Sequence, residues 1–212
     1  MITDRFVVTT IAKSLAQDLS IRNHYLHRKA PCSYAFGVFD CGEVVCRLVG
    51  IALYGVPASR NLQVGICGAD EANNVIELTR LWVEDGLPKN LESFVISQSL
   101  KKVKKDIVVS FADPSVNHVG YVYQASNWVY TGLSTRHVLW KLPGEIGHDR
   151  HQYDKYGGVN RTKEALGNQM LATERPRKHR YVYFNCSKAR RKVLLKKLRY
   201  QIRPYPKWNP SP

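Results

Sequence analysis

The side chains able to exchange protons gather at a few points of this sequence. His24 and Tyr25 stand together in Asn23-His24-Tyr25-Leu26-His27, Asp113 and His118 lie on either side of a proline-containing break, and Tyr123 follows. A carboxylate at a strand end can accept a proton or read a polar edge, which makes Asp113 the first candidate for that work. A His, a phenol and a carboxylate can also hold a redox metal such as iron, with His24, Tyr25 and Asp113 as its ligands. No H-E-x-x-H or comparable ligand spacing accompanies them. Each residue has a plain structural use too. Asp113 can cap the turn that follows Pro114, His24 can sit against the negative end of a helix, and Tyr25 and Tyr123 can simply pack.

The elements that must position these groups can be read from periodicity. Ile107-Val108-Val109 predicts a strand ending at Ser110–Asp113, because Pro114 cannot donate to a ladder. Val119, Val122, Tyr123 and Ser126 fall at helical spacing, and Asn127-Trp128 closes that segment before another strand. Upstream, Arg5–Thr9 predicts a first strand. Thr9 or Thr10 would cap a helix with Ile11, Leu15 and Leu19 on its inner face. Ser33–Phe39 and Val44–Tyr54 predict two strands around a turn, and the stretch from Gly55 to Asn74 predicts mostly loop. Val75–Val83 alternates as a central strand. After a turn, Leu91–Lys105 predicts a helix with Asn90 as its cap and Ser93 in its first turn, a place where a phosphate can sit. No Walker loop is present. Beyond Gly132 the expectations are a strand at His137–Leu142, a long loop at Pro143–Gly167 containing His148 and His151, a late strand at His179–Asn185, a basic helix at Ala189–Gln201 and a mobile proline-rich tail from Pro204.

Charge divides the chain sharply. Residues 1–133 hold 13 Lys and Arg against 12 Asp and Glu, whereas residues 134–212 hold 19 against 5. A near-neutral body with a basic final third, interleaved with Tyr, Trp and His, favours a phosphate-facing surface and a nucleic-acid partner. The phosphate contacts expected there are Arg175, Arg177, Lys178, Arg180, Arg190, Arg191, Lys196 and Lys197. Five cysteines without a C-x-x-C pair argue against a disulfide framework or a zinc ribbon and for a reducing cytoplasm. No run of about 18 apolar residues is present, so no membrane span is expected.

The order strand, helix, two hairpin strands, strand, turn-helix, strand, helix, strand resembles the GNAT-type acyltransferase fold. That likeness implies an α+β, α/β/α architecture: a mixed, mostly antiparallel central sheet flanked by helices. The whole chain, 1–212, would then be a single domain. Its core would be about 1–142 plus the late strand 179–185, with a basic loop insertion at 143–178 and a basic C-terminal extension at 186–212. The family's glycine loop is absent, and only Gly86 lies in the corresponding turn. Leu81, Trp82, Lys89, Asn90 and Ser93 are the residues that the likeness would set around a donor. Tyr123 falls where many such enzymes place a tyrosine that protonates a departing thiolate.

A closer resemblance is to the Mom family of phage DNA modification proteins. It rests on Asn23-His24-Tyr25-Leu26-His27, Glu77-Leu78-Thr79-Arg80-Leu81-Trp82, Asn90 with Ser93, Ser110-Phe111-Ala112-Asp113, Gly120 through Trp128, and Lys178 through Phe184. The resemblance implies conversion of adenine in duplex DNA to an N6-carbamoylmethyl form that protects phage DNA from host restriction. It also implies an acyl donor, acetyl-CoA or an aminoacyl-tRNA, and a site of action in the bacterial cytoplasm, with a homodimer as the assembly considered. Two other readings stay open on the sequence: an N-acetyltransferase acting on a small molecule or protein, and a non-catalytic DNA-binding protein.

Overall fold

A computed structural model describes residues 2–143 and 155–207. A single turn, α1 (Ile2–Arg5), leads into β1 (Phe6–Thr10), α2 (Lys13–Asn23), β2 (Tyr34–Asp40) and β3 (Arg47–Gly55). Then come α3 (Arg60–Cys67), β4 (Val75–Val83), α4 (Leu91–Leu100), β5 (Ile107–Ala112), α5 (Tyr121–Ala125) and β6 (Val129–Leu133). The final third supplies β7 (Val138–Lys141), α6 (Val159–Leu166), β8 (Leu171–Glu174), β9 (His179–Phe184) and α7 (Lys188–Lys197). Seven strands form one sheet in the order β1-β2-β3-β4-β5-β9-β6, and β7 pairs with β8 separately. Every pairing is antiparallel except β4 with β5. The expected mixed, mostly antiparallel sheet between helices is therefore the observed one.

Both faces of the sheet are covered. On one, α4 lays Leu91, Val95, Ile96 and Leu100 against Phe36, Tyr54 and Ile76, and Tyr123 and Trp128 extend the same core. On the other, α2 packs Ala16 on Ala35, Ile51 and Leu53, while Ile66 of α3 and Leu194 of α7 cover Val75, Ile107 and Val182. At about 25 cal/mol per Å² of apolar surface removed from water, these contacts are the main source of stability. One polar pair is built into the first core, the Tyr54 phenol and the Ser99 hydroxyl, 2.7 Å apart.

Several expectations need correction. The stretch Gly55–Asn74 is not mostly loop: Ser59 accepts a hydrogen bond from the Leu62 N–H and starts α3. Asn61, Gln63 and Gly65 hide that helix from apolar periodicity. Gly65 is required because a Cβ there would lie 2.5 Å from the Tyr200 hydroxyl. At α2, Ile11 and Leu19 pack against the core beside the buried Ala16 and Ser20 as expected, but Leu15 is 43% exposed, and the cap position is Ala12 with no side-chain cap. Asn90 precedes α4 in a left-handed conformation and does not cap with its side chain; Ser93 Oγ instead donates back to the Asn90 carbonyl. The stretch 143–178, expected as a loop, contains α6 and β8, and β8 pairs with β7 just before it, whereas His148 and His151 lie outside the described residues. A disulfide joins Cys41 to Cys46 at the β2–β3 turn, where none was expected. The chain after α7 is held down as far as Pro206: Arg203 N–H bonds the Tyr130 carbonyl, Tyr205 donates to the Trp128 carbonyl and Gln124 to that of Pro206.

The end of α7 is pinned by acids. Arg190 bonds Glu71 and Asp106, and Lys197 bonds Asp70 and Glu71. These contacts hold the Glu71 carboxyl down at about 2, from an ordinary 4.5, with Arg190 the largest cause and Lys197 next. A depressed folded value means that stability is present above the unfolded value and lost as pH falls through the folded one. Acid melts should therefore show α7 and α3 loosening between about pH 4.5 and 2. Glu71→Gln should be less stable at neutral pH and flatter in that window, and an unchanged acid limb in that variant would contradict the pinning.

Candidate active site

The strand pair β4–β5 makes the site by failing to continue. Its parallel register runs only through Val75↔Ile107, Ile76↔Val108 and Glu77↔Val109, although β4 extends to Val83. Where the ladder stops, the Ser110 hydroxyl bonds the Leu78 carbonyl at 2.9 Å and shares a 2.8 Å hydrogen bond with the Tyr123 phenol. A serine has one proton, and a carbonyl can only accept. The Ser110 proton therefore goes to Leu78, and the phenol donates into Ser110. Burial pushes Tyr123 up to about 12, so it is a firmly protonated group at neutral pH.

A cleft of about 1900 Å³ opens at this gap. That is larger than a small-molecule site needs, and wide enough for a macromolecular substrate and a donor together. His24 and Tyr25, and from a distant part of the chain Asp113 and Tyr123, all line it. The His24 and Tyr25 rings stack at 4.4 Å, and Tyr25 meets His118 edge-on at 6.0 Å. His24 Nδ1 accepts from the Leu26 N–H at 3.2 Å, which leaves the ring proton on Nε2. Burial first, then the nearby positive charges of Arg80, His118 and Lys178, lower its value to about 4. His24 is thus a neutral donor at physiological pH.

Asp113 does what the plain reading of its position asked. Its Oδ1 accepts from Ser115 N (3.1 Å) and Ser115 Oγ (2.6 Å), capping the turn Pro114–Val116, and Oδ2 pairs with Lys178 at 2.7 Å. Burial pushes this carboxyl up, but the hydrogen bonds from Lys178 and Ser115 outweigh it and hold it below the ordinary value. A carboxylate so satisfied is a poor proton acceptor, which corrects the role first given to it. The same bonds count against the iron set. Asp113 has its oxygens engaged, His24 has Nδ1 engaged, and the described residues contain no group of three His, Cys, Asp or Glu placed to hold a metal. The residues do not fit the ion as they stand, so no step is drawn through it.

Two residues named within sequence motifs, but given no role there, stand out here. Glu77 is the last paired residue of β4 before the gap. Burial raises its carboxyl to about 7 against the pull of Arg80 and Lys178. Arg80 gives Nη1 to the Thr79 carbonyl at 2.6 Å, while its buried Nε has no hydrogen-bond partner among the described residues. Strand alternation alone could have marked Glu77 as a charged residue at a half-buried position of a central strand, which is where a carboxylate needs a reason to be.

The donor-side expectations divide. Leu81, Trp82, Asn90 and Ser93 line the cleft, whereas Lys89 is exposed and does not. Among the basic residues, Arg175, Lys178 and Arg180 line it. Arg190 and Lys197 do not serve as phosphate contacts, because Glu71, Asp70 and Asp106 neutralise them within the fold. Arg191 and Lys196 are exposed on α7, away from the cleft lining. No helix of the described residues is long and apolar enough to cross a membrane.

The model of the Mom protein family matches residues 5–207. The methylcarbamoylase Mom of Escherichia phage Mu is 30% identical over 207 residues, covering 94% of this chain and 83% of that protein. Among solved structures, a spermidine/spermine N-acetyltransferase of Vibrio cholerae superposes with a TM-score of 0.48 at 8% identity, covering 90% of this chain and 99% of the other. A Salmonella typhimurium acetyltransferase, solved with acetyl-CoA, gives 0.47 at 8% identity, covering 86% and 95%.

The cap and the ion pair at Asp113 predict a mainly structural phenotype. Asp113→Ala should lower the free energy of unfolding by about 1–2 kcal/mol, the usual cost of a lost cap. Urea denaturation would show it as a lower midpoint at unchanged slope. A variant as stable as the parent would return Asp113 to the chemistry.

Proposed function

The chain belongs to the Mom protein family, and from that we propose that it is a transferase that modifies adenine in duplex DNA. The product is N6-carbamoylmethyladenine, and its use is to shield phage DNA from host restriction enzymes inside the bacterial cell. The observation that carries this reading is the meeting of Glu77, Arg80 and Tyr123 at the parting of β4 and β5, in a cleft with Arg175, Lys178 and Arg180 on its wall.

The exocyclic amine of adenine is a weak nucleophile, because its lone pair is delocalised into the ring. It is also held in a base pair, so the nucleotide must leave the stack before it can react. The cleft supplies room for that rotation and an aromatic pair, His24 on Tyr25, for the extruded base to lie against. His24 Nε2–H offers a donor to a ring nitrogen. Glu77 takes the amine proton as N6 attacks; a carboxylate near 7 is a much better base than one at 4.5. Tyr123 gives its phenol proton, held until then by Ser110, to the leaving group and recovers one from solvent afterwards. Arg80, with a buried nitrogen lacking a partner, would offer its charge to the anionic part of the donor. An acyl donor, acetyl-CoA or an aminoacyl-tRNA, would be held next to Leu81, Trp82, Asn90 and Ser93 and would supply carbon for the transferred group; attack on its acyl carbon alone gives an amide, so the methylene-linked product requires bond formation at the carbon beside it.

Expression in bacteria, digestion of their DNA and mass spectrometry of the nucleosides test the product. A carbamoylmethyl increment on adenosine, joined through its methylene carbon, is the expected result. An acetyl increment would favour a plain N-acetyltransferase, and no adduct with salt-sensitive binding would favour a non-catalytic DNA-binding protein. The pH profile tests the base. Activity should rise with pH to a plateau above about 7, and Glu77→Gln should remove both the activity and that limb. The raised value also means that the wild-type fold loses stability as pH climbs from about 4.5 to 7. Glu77→Gln should therefore melt at higher temperature than the parent at pH 8, and no higher at pH 4. An inactive variant that is also destabilised at pH 8 would point to a structural carboxylate instead.

A further inference from the structure

A second, smaller cavity of about 570 Å³ lies beyond the cleft, between β6 and the chain that follows α7. Three arginines from two segments line it: Arg177 just before β9 and Arg180 within it, and Arg203 in the docked C-terminal strap. Arg180 is only 6% exposed. Its Nε donates to Thr131 Oγ1 at 2.9 Å and its Nη2 to the Thr131 carbonyl at 3.0 Å, and its guanidinium lies 3.4 Å over the Tyr200 ring. Arg177 is oriented by the Ser134 carbonyl at 2.6 Å. Arg203 crosses Gly132 so closely that a Cβ there would be 3.3 Å from its Cδ, and Gly132 has a φ of +83°. The strap is fixed by the Arg203 N–H to Tyr130 carbonyl bond of 3.0 Å.

What distinguishes Arg180 is burial without a counter-charge. Among the described residues none of the three forms an ion pair, whereas Arg190 has two carboxylates. Hydrogen bonds to a hydroxyl and to carbonyls orient a guanidinium, but they do not neutralise it. Keeping a cation out of water without an anion costs several kcal/mol. A fold that holds Arg180 this way, sets Arg177 beside it and brings Arg203 to the same cavity from a distant segment has built the cationic half of a pair. The planar forks suit a phosphate. Arg180 also lines the main cleft, so a chain that occupies one cavity is within reach of the other.

We propose that Arg177, Arg180 and Arg203 form a phosphate site that grips the DNA backbone beside the cleft and anchors the strand whose base is presented there. Duplex DNA as the partner rests on the function proposed above; the phosphate chemistry of the pocket does not. The C-terminal strap then has a task beyond covering β6, because it carries one of the three guanidinium groups.

The test is binding of a short fluorescein-labelled DNA duplex, by anisotropy over a range of salt concentrations, with the parent chain, Arg203→Gln, Arg177→Gln and the double variant. Losing one gripped phosphate should weaken binding about tenfold at fixed salt and reduce the slope of log affinity against log salt by about 0.9. The Arg203→Gln side chain leaves an exposed position, so its melting temperature should match the parent. That variant stays informative even if changes at Arg180 prevent folding. Parent-like affinity and slope in the double variant would overturn the site. So would a response of the arginine Nε resonances to inorganic phosphate with duplex affinity unchanged, which would assign the pocket to a small phosphate. Binding is read without any modification of adenine. A slope change without an adduct would therefore remove the proposed reaction and keep the site, and an adduct without a slope change would do the reverse.

Discussion

The molecule depends on a short parallel pairing between two strands that then part. Three register pairs tie β4 to β5 at one end. The antiparallel partners β3 and β9 hold each strand on its outer side, so the gap between them cannot close. A parted ladder leaves backbone carbonyls and N–H groups without their usual partners, and buried groups of this kind are expensive. Ser110 resolves the first of them by bonding the Leu78 carbonyl. Because its single proton is then committed, its oxygen becomes the acceptor for Tyr123. The orientation of the phenol at the base of the cleft thus follows from the satisfaction of one main-chain group. The rings of Trp128 and Tyr181, packed 5.1 Å from that of Tyr123, leave it no other place to go.

Charge is sorted along the same lines. All three acids near α7, Asp70, Glu71 and Asp106, are engaged with Arg190 and Lys197, so the most basic-looking helix of the sequence is in part an internal clamp. The arginines at the two cavities, Arg80 on β4, Arg177 and Arg180 at β9 and Arg203 in the strap, form no ion pair among the described residues. A count of Lys and Arg along the chain cannot distinguish these two populations. What separates them is whether a carboxylate from far away in sequence arrives beside them, and Glu71 reaches Arg190 across 119 residues.

The same reasoning explains how much was legible beforehand. Strand order and the paired faces of the sheet follow from local signals, since Val75–Val83 and Ile107–Ala112 carry β-branched and apolar runs that no other element would use. The helix α3 was not visible, because Asn61, Gln63 and Gly65 interrupt any apolar stripe; Gln63 bonds the neighbouring Pro57 carbonyl and Gly65 lies under Tyr200. Of the site, His24, Tyr25, Asp113 and Tyr123 do converge on one cleft. Their division of labour was not readable. Lys178, 65 positions away in sequence, is what turns Asp113 from a free carboxylate into a bound one, and burial is what turns Glu77 from an ordinary acid into a base. Residue type announces which protons can move. Only the neighbours decide the pH at which they do.

Glu77 and Arg180 illustrate the cost of that arrangement from both signs of charge. An apolar residue at either position would pack against its neighbours with no desolvation penalty, and the fold would be more stable for it. A carboxylate raised to about 7 and a guanidinium without an anion persist where a ligand completes them. Both lie on the rim of the same gap, one on β4 before it opens and one on β9 beside it, with the cleft running between. Stability removed at these two points is available to a bound partner that brings a proton to one and a negative charge to the other. A nucleic acid carrying an amine-bearing base between two phosphates brings both on a single strand. For that reason the two unpartnered charges, and not the total of basic residues, carry the structural support for the proposed nucleic-acid partner.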